Sequence, residues 1–464
     1  MEVAENRDML KIVACLIGAA ALVSAQPASI EGLWQGTLNV GAVKLRLALH
    51  ISRDGNGALA VKMDSIDQGG SLNASAASFA NPAFHFESPK GMIKYDGTMN
   101  AEGTEIAGTF TQSATMPLVF KRVEKLDTLA RPQMPKPPFP YRAEDVEYEN
   151  KTGGVKLAGT LTIPQGSGQF PVALMITGSG PQDRDETLMG HKPFLVIADY
   201  LSRRGIAVLR VDDRGMGKST GRDADATIDD MVGDVLTGVT FLKGRAEIDP
   251  HHIGVIGHSL GGIVGPLAAS RSQDISFVVM LAGTGVTGME TMYRQSAAII
   301  RASGGTDAMV AANRKVQELM FTIVRAEQDP KVAADKLREA LKQSSPGISD
   351  GAIDQQIATT NSPNIRSFLV YDPAPTLAKL RVPVLAMNGS RDVQVIPEQN
   401  LPAIVKALSE GGDPDFEAVE LTGLNHLFQT CKTCIPAEYP EIEETFSPAA
   451  LATMGEWLER HLKR

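Results

Sequence analysis

Ser259 is the side chain whose surroundings point most directly to nucleophilic chemistry. It is the central residue of Gly-His-Ser-Leu-Gly at 257–261, between an apolar run at 253–256 and an Ala-rich stretch at 263–269. A tight turn from a strand into a helix projects a serine hydroxyl outward, and flanking glycines relieve the crowding in such a turn. The helix N-terminus then faces the negative charge that develops in acyl transfer. The pattern therefore predicts a nucleophile at position 259.

A serine is a weak nucleophile without a base, and two later residues have suitable positions. His426 follows an apolar run at 416–421, and Asp392 follows another at 384–387. Serine, then acid, then histidine is a known chain order for this chemistry. Asp372 is also in range, but it precedes the run at 384–387 instead of following it. We expect His426 to be the base and Asp392 to orient it.

The oxyanion formed in such a reaction needs two backbone N–H donors. We expect one from Leu260, the residue after the nucleophile, and the other from Ser179, in the glycine-rich segment after the apolar run at 172–176. The charged residues that follow, at 182–186, are predicted to form a local ion network that holds this segment. The alternative for Arg184 is a contact with substrate.

The elements that must position these residues follow from the apolar pattern. From residue 146 onward, short apolar runs alternate with helical stretches, which indicates a parallel sheet covered on both faces. Residues 284–377 interrupt this alternation with helical composition throughout, and we expect them to form a cap. The apolar face of 316–324, with Met320 and Phe321, is predicted to be a wall of the substrate pocket; the alternative is the core of the cap itself.

The N-terminal part has a different pattern. Residues 43–51 place an apolar side chain at every second position, and short runs separated by turn residues continue to residue 125. We expect an all-β domain at 26–125, either a small barrel or a sandwich. Its opening, Gly-Leu-Trp-Gln-Gly at 32–36, resembles the start of lipocalin-type barrels. Five prolines at 132–140 then predict an extended linker at 126–142.

Residues 143–464 resemble the α/β-hydrolase superfamily, and more narrowly the secreted bacterial hydrolases near the prolyl-oligopeptidase and serine-aminopeptidase groups. The motifs that carry the resemblance are Thr-Gly-Ser-Gly-Pro-Gln-Asp-Arg-Asp (177–185), Asp-Arg-Gly-Met-Gly-Lys-Ser (213–219), Gly-His-Ser-Leu-Gly (257–261), Tyr-Asp-Pro-Ala-Pro (371–375), Asn-Gly-Ser-Arg-Asp (388–392) and Asn-His (425–426). The resemblance implies an α/β-hydrolase sheet with a helical cap insertion at 284–377. It also implies triad roles for Ser259, Asp392 and His426. Thr177 stands where many members of the superfamily have His.

These residues favour a serine hydrolase that cleaves carboxylic ester or thioester bonds through an acyl-enzyme. The same triad suits a serine aminopeptidase or oligopeptidase, although the N-terminal β domain is far smaller than the propeller of a prolyl oligopeptidase. A third hypothesis is a non-catalytic binding protein on a hydrolase fold. We expect a small-molecule ester, a thioester or a short peptide as substrate, and no metal or organic cofactor.

Composition and the first residues bear on partners and location. Lys and Arg number 45 against 54 Asp and Glu, and the resulting net charge of −9 argues against nucleic-acid binding. The apolar run at 12–23 follows Lys11, is shorter than the ~20 residues of a bilayer-spanning helix, and ends in a small-x-small pattern. We therefore expect a cleaved signal peptide at 1–25, no membrane span in the mature chain, and export to the periplasm or the exterior.

Two of the three cysteines lie close to the predicted base. Cys431 and Cys434 form Cys-Lys-Thr-Cys shortly after His426. A zinc site needs further ligands at suitable spacing, and the sequence nearby supplies none. In an exported chain a local disulfide between them is the favoured interpretation, with two free thiols as the alternative.

Overall fold

The computed structural model describes residues 29–40, 43–66, 70–88, 92–112, 114–126, 130–344, 347–412 and 415–462. They form two compact units, one that extends to Leu126 and one that begins after it. The predicted signal peptide at 1–25 lies outside the described residues. No helix within these ranges is both long and apolar enough to cross a membrane.

The first unit consists of antiparallel strands. Those described are β1 Gly32–Val40, β2 Val43–Arg53, β3 Leu59–Ser65, β4 Gly70–Asn73, β5 Ala76–Ala80, β6 Ala83–Ser88, β7 Ile93–Met99, β8 Glu105–Thr111 and β9 Thr115–Val123. They form one sheet in the order β4-β3-β2-β1-β9-β8-β7-β6-β5. Alternate residues build an aromatic-rich core in which Trp34, Tyr95 and Phe120 are fully buried. One curled sheet around one core fits the barrel-like expectation better than two packed sheets.

The second unit contains a mixed sheet. Its described strands are β10 Tyr141–Asn150, β11 Val155–Pro164, β12 Phe170–Ile176, β13 Ala207–Val211, β14 Ile248–His258, β15 Val278–Leu281, β16 Val384–Gly389 and β17 Phe416–Leu421. The order is β10-β11-β13-β12-β14-β15-β16-β17, antiparallel from β10 to β13 and parallel from β13 to β17. The carboxyl ends of the parallel strands therefore share one edge, where ligands bind in open α/β sheets.

Helices cover both faces of this sheet. Those described are α1 Pro193–Ser202, α2 Ile228–Lys243, α3 Gly261–Ala269, α4 Gly288–Ala302, α5 Asp307–Ala326, α6 Pro330–Ser344, α7 Asp350–Thr360, α8 Pro363–Val370, α9 Ala374–Leu377, α10 Pro397–Gly411 and α11 Pro448–Leu462. Neighbouring residues of β12 alternate between two apolar clusters, one completed by α2, α3 and α10, the other by α1 and α11. The central strands are thus buried on both faces, as the uninterrupted apolar runs predict.

The cap consists of α4–α9, inserted between β15 and β16. It has an apolar core of its own, in which Met320 and Phe321 of α5 are 5% and 4% exposed. Neither residue lines the cavity that holds Ser259. The prediction that Met320 and Phe321 form a pocket wall is therefore wrong, because the apolar face of α5 packs against other cap helices.

The proline-rich segment differs from the extended linker expected at 126–142. The side chain of Arg131 donates to the carbonyls of Ile442 and Met189 at 2.7 and 3.0 Å, and Gln133 donates to that of Phe446 at 2.6 Å. Strand β10 already begins at Tyr141. These hydrogen bonds hold the segment against the second unit, so it is part of that unit and not a free spacer.

Candidate active site

Three of the strands that end at the shared edge are followed by the predicted site residues. β14 ends at His258, immediately before Ser259, while Asp392 and His426 lie in the loops after β16 and β17. Ser259 and His426 line one cavity of about 310 Å³, and Asp392 lies behind His426. The parallel topology therefore brings together residues that are far apart in the sequence.

The turn at Ser259 has the geometry of a nucleophile elbow. Ser259 has φ 53°, a left-handed conformation that residues with a Cβ rarely adopt. Its N–H donates to the Leu281 carbonyl at 2.8 Å. A Cβ on Gly257 would lie 2.0 Å from the Gly261 carbonyl oxygen, and a Cβ on Gly261 would lie 2.2 Å from that of Ile176. The two glycines are therefore sterically required, and the surrounding structure holds the serine in its strained conformation.

His426 and Asp392 form a buried pair. His426 Nδ1 lies 2.7 Å from Asp392 Oδ2, and their side chains are 6% and 0% exposed. The other oxygen of Asp392 accepts from the N–H groups of Gln394 and Val395 at 2.7 and 2.9 Å. His426 Nε2 has no hydrogen-bond partner among the described residues, so this nitrogen is able to accept a proton. Asp372 is exposed and accepts a backbone N–H at the start of α9.

The predicted oxyanion donors lie beside the serine. Ser179 and Leu260 both line the cavity. Neither backbone N–H donates to an acceptor in the part of the chain that the structure describes, so both are able to bind an oxyanion. The segment with Ser179 approaches closely, since a Cβ on Gly178 would lie 3.4 Å from the Ser259 Cβ. The N–H of Gly178 itself donates to the Glu186 carboxylate at 2.7 Å.

The charged residues after Ser179 form the expected ion network. Arg184 pairs with buried Asp212 at 2.7 Å, and Asp185 pairs with Arg210 and with Lys192. Arg184 does not line the cavity. Its role is to hold the segment, and the alternative of a substrate contact is wrong for this cavity.

Thr177, at the position where His is frequent in the superfamily, has a structural partner. Its hydroxyl donates to Asp213 Oδ1 at 2.7 Å. Burial raises the pKa of Asp213 to about 8, although this hydrogen bond and the N–H of Gln182 partly offset the effect. Thr177 does not line the cavity, so this side chain anchors the segment instead of facing substrate.

A second imidazole in the site was not identified from the sequence. His258, directly before the nucleophile, lies with Nδ1 2.9 Å from Glu186 Oε1 and with Nε2 3.0 Å from the His426 carbonyl oxygen. The rings of His258 and His426 are 4.8 Å apart between centroids. Both nitrogens of His258 are engaged, so this residue is not available as a base. The sequence offered no signal for the pair beyond the position of His258 in the elbow.

The cap contributes one wall of the cavity. The lining residues from α4 and α8 are Thr291, Met292, Gln295, Asn364, Ile365 and Phe368. This wall contains three apolar and three neutral polar side chains. Glu186 is the one carboxylate among the described lining residues, and His258 and Gly178 already occupy it.

A disulfide joins Cys431 and Cys434, as expected. The Glu438 carboxylate accepts the N–H groups of Lys432, Thr433 and Cys434 at 2.6–2.7 Å. The bridged turn is therefore fixed from two sides, directly after the loop with His426. Among the described residues, no group of three or more His, Cys, Asp or Glu side chains is arranged to hold a metal ion.

A serine at a strained elbow, a buried His–Asp pair and two open N–H groups on this sheet define a serine hydrolase of the α/β-hydrolase fold. The family of X-Pro dipeptidyl-peptidases (S15 family) matches residues 153–426, more than half of the chain, and the chain belongs to this family. The match spans Ser259, Asp392 and His426.

Similar proteins include esterases. The chain is 28% identical to esterase EstD of Thermotoga maritima over 344 residues. The matched region covers 74% of this chain and 71% of that protein. Among solved structures, the α/β hydrolase GrgF from Penicillium is similar over 70% of this chain and 100% of its own, with 17% identity and a TM-score of 0.43. The Pyrococcus furiosus esterase Pf2001 is similar over 69% of this chain and 93% of its own, also with 17% identity and a TM-score of 0.43.

Proposed function

We propose that Ser259, His426 and Asp392 are the catalytic triad of a hydrolase that cleaves carboxylic ester or thioester bonds. The observation that carries this proposal is the buried 2.7 Å pair of His426 and Asp392, because His426 lines the same cavity as the elbow serine. A buried, hydrogen-bonded aspartate orients the imidazole and stabilises its protonated form. No cofactor is needed for this chemistry.

The reaction proceeds in two halves. Ser259 Oγ attacks the acyl carbonyl while His426 Nε2 takes its proton, and the N–H groups of Ser179 and Leu260 bind the oxyanion. The intermediate collapses to an acyl-enzyme, and His426 returns the proton to the departing alcohol or thiol. Water, activated by His426, then attacks the acyl-enzyme and releases the acid and Ser259.

Ester cleavage is favoured over aminopeptidase activity by the charges of the cavity. A peptidase that recognises a free N-terminus must balance a buried ammonium group, because an unpaired buried charge is very costly. Glu186, the carboxylate in the lining, is neutralised by His258. The relative named as an esterase supports the same choice. The family name supports peptide cleavage as the second candidate.

A substrate panel distinguishes the candidates. We expect hydrolysis of p-nitrophenyl esters and of an acyl thioester, with much lower kcat/KM for X-Pro and aminoacyl p-nitroanilides. Ser259→Ala is the control for background hydrolysis. Faster cleavage of the anilides would establish the peptidase. No turnover together with no fluorophosphonate labelling of Ser259 would establish the non-catalytic binding protein.

We also propose that the chain is exported to the periplasm or the exterior. The apolar segment at 12–23 with its small-x-small end supports this, as does the Cys431–Cys434 disulfide, since such bonds persist in oxidising compartments. Cell fractionation with N-terminal sequencing tests the proposal. We expect a mature chain that begins after Ala25, whereas an unprocessed cytoplasmic chain would contradict it.

A further inference from the structure

His258 and Glu186 form a buried pair that the proposed mechanism does not use. Their side chains are 7% and 5% exposed, so neither charge is solvated. Replacing such a pair by apolar residues often costs a protein no stability, so the pair itself is weak evidence for a stabilising role. Glu186 has φ 51°, a left-handed conformation like that of Ser259, and it lines the cavity.

The hydrogen-bond partners of His258 limit where its protons can be. The carbonyl of His426 only accepts, so His258 Nε2 carries a hydrogen. Glu186 Oε1 accepts from the N–H of Gly178 and also faces His258 Nδ1. With Glu186 ionised, Nδ1 carries a hydrogen as well. In that state His258 is a buried imidazolium whose two N–H groups donate to Glu186 Oε1 and to the His426 carbonyl oxygen.

These contacts join three loops of the active site. His258 is covalently attached to the nucleophile Ser259. Its Nε2–H fixes the backbone carbonyl of His426, and the carboxylate that it binds fixes the N–H of Gly178, the residue directly before Ser179. The nucleophile, the base and one oxyanion donor are thereby connected through two side chains.

We propose that His258 and Glu186 are positioning residues that hold the nucleophile, the base and the oxyanion segment in one geometry. The inference rests on the proposed function, because it assigns the pair to the hydrolysis carried out at Ser259. Neither residue touches the reacting atoms. Their effect is on the alignment of groups that do, and small misplacements of such groups are costly in rate.

The charges around His258 favour its protonated form and make its hydrogen bonds depend on pH. Burial lowers the pKa of His258, but the charge and hydrogen bond of Glu186, the His426 carbonyl and the charge of Asp392 together raise it above its usual value. The ionisable groups that face His258 are thus Glu186, His426 and Asp392. A raised pKa favours the imidazolium, and its hydrogen bonds are lost as the pH rises through the pKa of His258.

Glu186→Gln is the sharpest test because it changes the charge and hardly the shape. In the structure one oxygen serves both Gly178 and His258. A glutamine oxygen in that place can accept from the N–H of Gly178 and from an Nδ1–H of His258. A neutral His258 has only one ring hydrogen, however, and if Nδ1 carries it, Nε2 has none to donate to the His426 carbonyl. At neutral pH at least one of the three contacts must therefore break.

We expect Glu186→Gln to lower kcat on the order of 10- to 100-fold with KM almost unchanged. We also expect the alkaline limb of the kcat–pH profile to move to lower pH, because His258 has lost the charge that keeps it protonated. Asp234→Asn is the matched control. Asp234 pairs with Arg214 at 2.6 Å, is largely buried and does not line the cavity. This variant should lower Tm without changing the pH profile.

A Glu186→Gln enzyme with the wild-type kcat–pH profile and a lower Tm would overturn the inference while leaving the proposed function intact. A wild-type enzyme that hydrolyses no ester and takes no fluorophosphonate label would overturn both. If Glu186→Gln does not fold, His258→Gln decides by the same readouts. This variant preserves the hydrogen bond between Gly178 and Glu186, but it replaces the two ring N–H donors of His258 by one amide nitrogen. An unchanged kcat would again overturn the inference.

Discussion

The loops beneath the cavity and the cap above it, both in the second unit, are held together by different interactions. The loops, those after β12, β14, β16 and β17, contain buried polar groups with several partners each; Asp392 binds one side chain and two backbone N–H groups. The cap is held by an apolar core, and ion pairs such as Arg314–Glu318 and Arg301–Asp307 are largely exposed.

This difference assigns the chemical step to the loops and substrate preference to the cap. Buried hydrogen-bonded groups allow few alternative positions, because each broken contact leaves an unsatisfied polar atom. Exposed ion pairs contribute ~0–1 kcal/mol each to stability, so the stability of the cap depends mainly on apolar packing. We therefore expect changes in the loops to alter rate constants, and changes in the cap to alter either stability or substrate preference.

Ser259→Ala is expected to have the largest effect. It should lower kcat by at least about 10³-fold. Tm should hardly change, because the side chain supplies chemistry and little packing, and the left-handed backbone remains. Steady-state kinetics and thermal denaturation measure both. Ser276→Ala, a partly buried serine that donates to the Ile253 carbonyl, is the control. Retention of a tenth of wild-type activity would contradict the nucleophile assignment.

The two sides of the cap should respond differently. Met320→Ala removes a core side chain and should cost about 2–5 kcal/mol of stability without altering the preference among C2 to C12 esters. Phe368→Ala, in the cavity wall, should change that preference at least about tenfold, the low end of the effect of one buried methylene. The opposite pattern, with Met320 controlling chain length, would show that the cap core reaches the substrate.

Acid should destabilise the catalytic unit through His191. This residue is fully buried, its Nε2 donates to the Tyr439 carbonyl at 2.9 Å, and its Nδ1 lies 3.1 Å from the Thr445 hydroxyl. Burial, with the charge of Arg131, lowers the pKa of His191 to about 4. Between pH 6.5 and 4 the unfolded chain binds the proton and the folded chain does not, so stability falls as pH falls, by on the order of 3 kcal/mol.

The variant His191→Gln isolates this effect. Its amide can still donate to the Tyr439 carbonyl but does not titrate. Urea denaturation at pH 7 and pH 4.5 should therefore show a smaller acid loss than in the wild type. An equal loss in both proteins would assign the acid sensitivity to other groups.

Removal of the disulfide should have the smallest effect. The bridge closes only a four-residue segment, so Cys431→Ser with Cys434→Ser should cost stability at the low end of the ~0–5 kcal/mol range. Because the bridged turn follows the His426 loop, kcat should fall more clearly than Tm. Unchanged kcat with a Tm lowered by many degrees would mean that the bridge serves stability alone.

The positions of Ser259, Asp392 and His426 could be predicted because each depends on a local pattern, a strand followed by a loop with one reactive residue. Parallel topology then brings such loops to one edge without further information. The same reasoning explains why the apolar central strands and the helical cap were recognisable from periodicity.

Other features depend on long-range packing that periodicity does not encode. The apolar face of α5 could contact either a substrate or another helix, and only the packing of the cap decides between them for Met320 and Phe321. The pairing of His258 with Glu186 joins residues 72 positions apart. The prolines at 132–140 predict an extended chain, but not the hydrogen bonds that Arg131 and Gln133 make with the second unit.

The cavity residues of the cap lie on α4 and α8, near its two connections to the sheet, and none of the described lining residues lies on α5, α6 or α7. Sequence drift in those three middle helices is thus limited by packing alone, whereas drift in α4 and α8 alters what the cavity accepts. A lineage can therefore acquire a new substrate through a handful of substitutions on two helices and leave the rest of the insertion, and the catalytic loops, as they are.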